Sequence, residues 1–115
     1  MGQVLRRQKG VVGVSVLEKE IEAKLRKAVA KHGGQCLKWV CPGWSGVPDR
    51  IVLLPGGRIV FVELKRPTGG KTSAMQKWWA KKLIDMDFHY WLLENEVDLE
   101  LFEYVELQQR AAWEK

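Results

Sequence analysis

The chain has 115 residues, 46% of them apolar and 29% charged, and a net charge of +5; that length supports one core with little to spare, and no apolar run approaches the roughly 18 residues needed to cross a membrane. The charge is unevenly placed, with 17 Lys/Arg against 5 Asp/Glu over residues 1–82 and 2 against 9 over residues 83–115. A basic body with an acidic end suits a polyanionic ligand, although a solvated face gives the same count, and two cysteines, Cys36 and Cys41, with no second pair argue against a zinc site.

Residues 1–14 have no helical period and carry Arg6, Arg7 and Lys9. They are expected to form a basic arm ahead of a single domain over 15–115, and they lack the apolar core of a signal peptide, which predicts a cytoplasmic protein. Ser15 and Glu18 have capping-box spacing and predict a helix start at that point. Leu17, Ile21, Leu25, Ala28, Val29 and His32 recur at helical spacing until Gly33-Gly34 ends the run. A first strand is expected over Gln35 to Val40, followed by a loop, Cys41 to Gly46.

Two β-rich runs then flank Pro55-Gly56-Gly57, the pattern of a hairpin. A three-residue loop at 55–57 sets a register that places Asp49 opposite Glu63. Directly opposed residues have Cβ atoms roughly 4.5–5.5 Å apart, close enough for two carboxylates to repel unless a cation lies between them. Lys65, two residues after Glu63, points to the same face. Two acids and a lysine on one sheet face are the minimal kit for metal-assisted phosphodiester cleavage. Beyond the Pro67 to Lys71 loop, Ser73 and Gln76 make a second capping box. Met75, Trp79, Leu83 and Met86 mark the buried stripe of that helix, which Trp78 widens. His89 to Leu93 predicts a fourth strand. Asn95 is placed to cap a last helix through Val97, Leu99, Phe102 and Val105, and the intervening helix predicts a mixed sheet.

A helix, a strand, a hairpin carrying Pro-Asp and Glu-x-Lys, and a helix with an early Gln resemble the PD-(D/E)XK superfamily. Within it, Gly46-Val47-Pro48-Asp49-Arg50, Phe61-Val62-Glu63-Leu64-Lys65 and Ser73-Ala74-Met75-Gln76 resemble the VRR-NUC family, in particular its stand-alone phage and bacterial members. The resemblance covers roughly residues 16–94. It implies an α/β restriction-endonuclease-like core, a small mixed β-sheet flanked by helices in the order αβββαβ, with a C-terminal helix added. It also implies that Asp49, Glu63 and the Leu64 carbonyl are metal ligands, that Lys65 is the catalytic lysine, and that Gln76 is the glutamine trailing the core. The family's helix-1 glutamate corresponds to Glu22, with Glu18 in reserve; both fall on one flank of the apolar face and Glu20 on the other. An all-oxygen donor set suits Mg²⁺ or Mn²⁺.

Each residue also has a plainer reading. Asp49 alone could be a turn former, Glu63–Lys65 a surface pair, and Gln76 only the partner in a helix cap. His32 and His89 are expected to be structural, and Trp39, Trp79 and Trp91 to lie in the core, whereas Trp44 in the loop is a candidate for stacking on a base. Two function classes follow. One is a metal-dependent DNA endonuclease acting on branched DNA, such as a Holliday junction or flap, as a homodimer paired through the acidic segment 83–115. The other is a non-catalytic DNA-binding module derived from a nuclease fold.

Overall fold

The computed structural model describes residues 11–65 and 72–109, with the backbone alone for 11–17 and 109. Helix α1 runs Val11–Lys31, strands β1, β2 and β3 run Gln35–Lys38, Arg50–Leu54 and Arg58–Leu64, helix α2 runs Ala74–Asp85, strand β4 runs His89–Leu93, and helix α3 runs Glu96–Phe102 and continues as a π-helical turn, Glu103–Gln109. The four strands lie in chain order across one sheet. β1–β2 and β2–β3 are antiparallel, and β3–β4 is parallel, because α2 carries the chain back across the sheet before β4 begins.

The hairpin has the register its turn requires: Arg50 opposes Val62, Ile51 opposes Phe61, and Val52 opposes Val60. Alternation then sorts the side chains. Val52, Leu54, Val60, Val62, Leu64 and Leu93 face one way and join Ile21, Leu25 and Val29 of α1 with Leu99, Phe102 and Leu107 in one buried cluster. The α1 residues are four apart, so they form a single stripe over the sheet. α2 lies on the opposite face, where Trp79 packs near Trp39 and Trp39 packs on Phe61.

Several local expectations are corrected. The backbone is already helical at Val11, so Ser15 lies inside α1 and not at its cap, and residues 11–14 do not belong to an arm; the chain has no proline there, and extending a formed helix adds a bond for each residue fixed. Residues 1–10, 66–71 and 110–115, which include the rest of the expected arm and the Pro67 to Lys71 loop, lie outside the described residues. On α2 only Leu83 is buried. Met75, Trp78 and Met86 are exposed, since the helix meets the sheet mainly at β4 and leaves most of its surface uncovered. At the C-terminal end, Leu99, Phe102 and Leu107 turn inward to the chain's own core.

The other stops and caps follow their residues. Gly33 ends α1 with φ +83°, a left-handed conformation that glycine adopts without strain. Ser73 and Gln76 form both bonds of a capping box, and the Asn95 side chain accepts from the Asp98 N–H. His32 and His89 make contacts internal to the fold, His32 Nδ1 to the Ala28 carbonyl (3.0 Å) and His89 Nδ1 to Glu106 Oε2 (2.8 Å). Glu106 is buried and also accepts from the Trp91 indole N–H at 2.8 Å, which ties the π-helical turn to the start of β4. Cys36 and Cys41 are both free thiols, with burial pushing that of Cys36 up. Among the described residues no helix is long and apolar enough to cross a membrane.

Candidate active site

The hairpin register brings the two acids together. Asp49 sits one residue before β2, and its backbone N–H donates to Glu63 Oε1 (3.2 Å) while its own Oδ2 accepts from the Leu64 N–H (2.9 Å). Each carboxylate is thus held by a peptide N–H from the facing segment. The Asp49 carbonyl accepts from the Trp39 N–H at 2.9 Å, which joins the same residue to the chain just beyond β1. Asp49 faces solvent, whereas Glu63 is only 2% exposed. Burial, and then the Asp49 charge, push the Glu63 carboxyl up to about 7, against the opposing pull of Lys65 and the Asp49 N–H.

Gln76 completes the group. Its Nε2 donates to Glu63 Oε2 (2.6 Å), and its Oε1 accepts from Lys65 Nζ (2.9 Å) and from the Ser73 N–H (2.9 Å). Lys65 Nζ also lies 3.5 Å from Glu63 Oε2. Capping and site contact, which are alternatives when the sequence is read alone, are here two uses of one amide. The helix start fixes the amide's position, and the amide orients both Glu63 and Lys65.

Gly46 sets the approach of the loop to α2. Its φ is +83°, and an added Cβ would lie 2.6 Å from the Met75 carbonyl carbon and 2.9 Å from the Gln76 nitrogen. Only glycine allows that contact, which seats Val47-Pro48-Asp49 against the turn that carries Gln76. The Trp79 indole N–H donates to the Ser45 carbonyl (3.1 Å) and secures the same loop.

Glu18 and Glu22 both line a cleft of ≈ 280 Å³ with Asp49, Arg50, Lys38 and Leu64. The Glu22 carboxylate is occupied by Arg50, whose Nε and Nη2 donate to its Oε2 at 3.0 and 2.5 Å. The same guanidinium reaches the Cys36 carbonyl at 3.5 Å. Among the described residues no three His, Cys, Asp or Glu side chains converge closely enough to hold a metal ion. Asp49, Glu63, Lys65 and Gln76 are therefore assembled, and Glu22 stands beside them in an ion pair.

Tyr90 joins the site although no sequence motif marks it. It opposes Phe61 on β4, so it shares the sheet face of Glu63, and its phenol is pushed up to about 12 by burial and then by the charges of Glu63 and Asp49. The alternation within β4 was readable, but the parallel register that sets Tyr90 beside the acids was not.

No family model matches the chain. It is 52% identical over 61 residues, 53% of its length, to "Putative nuclease p44" of Acyrthosiphon pisum secondary endosymbiont phage 1, and the match spans 64% of that protein. A solved structure described as a VRR_NUC domain aligns with a TM-score of 0.72 at 22% identity, covering 77% of this chain and 96% of the other. The chain has the fold of a VRR-NUC domain, which bears out the resemblance at the level of fold.

Proposed function

We propose that this chain, with its VRR-NUC fold, is a nuclease: a metal-dependent DNA endonuclease that hydrolyses phosphodiester bonds in branched DNA. The observation that carries the reading is the single network joining Asp49, Glu63, Lys65 and Gln76. A surface ladder pair would not bury a glutamate at 2% exposure beside a second acid. The name of the phage relative points the same way.

The donor set fits a hard divalent cation. The Asp49 and Glu63 carboxylates with the Leu64 carbonyl offer oxygen alone, the preference of Mg²⁺ or Mn²⁺. The electrostatics fit as well, because burial and then the Asp49 charge push the Glu63 carboxyl up to about 7, a shift that a cation beside the two acids would oppose. Asp49, Glu63 and Leu64 would hold the ion, with Glu22 or Glu18 joining from the cleft wall. When bound, the ion would activate a water and neutralise charge on the scissile phosphate.

The protein's own groups do the rest. Gln76 holds the Glu63 carboxylate and the Lys65 ammonium in fixed relation, so neither must reorganise as charge develops. Lys65 offers N–H donors and a positive charge to the phosphate oxygens. Arg50, oriented by Glu22, presents a second cation at the cleft. Cutting two strands of a junction in concert needs two such sites, and a symmetric homodimer supplies them.

Purified protein incubated with Mg²⁺ or Mn²⁺ and labelled single-strand, duplex, flap and four-way substrates tests the reading. Cleavage is expected only with the cation, with a preference for branched substrates. Lys65→Ala should abolish cleavage and leave DNA binding and cation binding in place; a variant that cuts within about threefold of wild type removes Lys65 from the mechanism. Binding without cleavage under every condition would favour a non-catalytic DNA-binding module.

A further inference from the structure

The loop that delivers Asp49 and the first turns of α2 also display aromatic surface that this chemistry does not use. Trp44 is 58% exposed and Trp78 46% exposed. Both pack edge-on against Trp79, with ring centroids 5.9 and 5.2 Å apart and interplanar angles of 79° and 88°. Trp79 is anchored in turn, 6.1 Å from Trp39 and bonded to the Ser45 carbonyl. This packing fixes the two outer indoles while leaving about half of each in water, where an aromatic ring gains nothing unless something covers it.

The surroundings say what the cover is. Lys82 Nζ lies 5.8 Å from the Trp78 ring centroid, and Lys77 is exposed on the same helix. The single acid of α2, Asp85, is paired with Lys81 at 2.8 Å. Stacking rings beside cations are the two components of single-strand recognition: indole faces for bases and ammonium groups for phosphates. The platform also adjoins the acids. Trp79 is three residues beyond Gln76 on α2, and Trp44 is two residues before Gly46, which packs on the Gln76 backbone.

We infer that Trp44 and Trp78 form a stacking platform for an unpaired nucleobase next to the phosphate that is cut. The inference rests on the nuclease reading and narrows it. The substrate has single-stranded nucleotides at the cleavage point, because a base inside continuous duplex has both faces covered by its neighbours.

The test is binding without catalysis. In EDTA, fluorescence anisotropy would compare a short labelled single strand, an abasic strand of equal length and charge, and the corresponding duplex. Wild type should prefer the base-bearing strand over both others, and Trp44→Ala or Trp78→Ala should reduce that preference about tenfold, with no effect on the abasic strand. Trp44→Phe, which keeps a ring, should retain most of it. If an alanine variant melts early, quenching of the wild-type tryptophan fluorescence by the base-bearing but not the abasic strand decides instead. Equal affinity for base-bearing and abasic strands, or equal loss on both in the variants, overturns the platform. Cleavage with Mn²⁺ reports separately: base-dependent binding by a protein that never cuts defeats the nuclease reading alone, and cutting without base dependence defeats the platform alone.

Discussion

Glu63 carries the sharpest consequence at the scale of single residues. Its carboxyl is raised from 4.5 to about 7 in the folded chain, first by burial and then by Asp49. A raised acid binds its proton more tightly in the native than in the unfolded state, so the native state holds more protons between those two values and stability falls as pH rises through that window. Cation-free protein should therefore lose stability between pH 4.5 and about 7, and Glu63→Gln should flatten that slope in chemical denaturation. Added Mg²⁺ should stabilise wild type more above this window than below it, since the ligand must be deprotonated to bind. A cation effect independent of pH would place the ion elsewhere. Gln76 and Ser73 give a second contrast. Ser73→Ala removes a cap worth about 1 kcal/mol but keeps the Gln76 bonds to Glu63 and Lys65. Gln76→Ala removes those bonds as well. Cleavage should fall steeply in Gln76→Ala and little in Ser73→Ala; equal losses would reduce Gln76 to a capping residue.

Among elements, the contact between the 41–48 loop and the start of α2 decides whether the site assembles. Two parts distant in sequence meet there through Gly46 and the first turn of the helix, with the Trp79–Ser45 bond beside them. Gly46→Ala places a methyl group into the Met75 backbone at a position with φ +83°. The strain is worth about 1–3 kcal/mol, and relief requires the loop to lift from α2. The variant should melt several degrees lower and lose cleavage out of proportion to its stability, because Asp49 moves away from Gln76 and Lys65. A melting loss with full activity in the folded fraction would show that the loop repositions without harm.

For the whole molecule, the proposed pairing of two chains rests on what α3 leaves outside. Leu99, Phe102 and Leu107 serve the chain's own core, whereas Val97, Leu101 and Tyr104 are 71%, 53% and 54% exposed. That residual stripe is smaller than the apolar content of residues 83–115 suggests on sequence alone. It lies among acids, away from the basic side chains of α2, and exposed apolar surface of this kind often marks an interface. Light scattering should give about twice the chain mass of 13.2 kDa, and Val97→Glu with Leu101→Glu should shift it toward monomer. A wild-type monomer that still cuts both strands of a four-way junction in concert would end the dimer proposal.

The strands, the hairpin register and the pairing of Asp49 with Glu63 are legible in the sequence, because a two-residue alternation and a three-residue turn are local and leave one register open. The sequence also marked the Ser73 cap and the Asn95 cap, where a side chain reaches a backbone N–H three residues away. It misplaced the start of α1, since a capping-box spacing inside a helix looks the same as one at its end. It overestimated the buried stripe of α2, because spacing identifies an apolar face but not whether a sheet covers it. Long-range packing, not local pattern, makes Gln76 join Glu63 to Lys65, places Arg50 on Glu22, and sets Tyr90 near the acids. The Gln76 and Arg50 bonds link residues 11 to 28 positions apart and depend on how the helices seat on the sheet, while Tyr90 depends on the parallel register of β4; no local pattern encodes either.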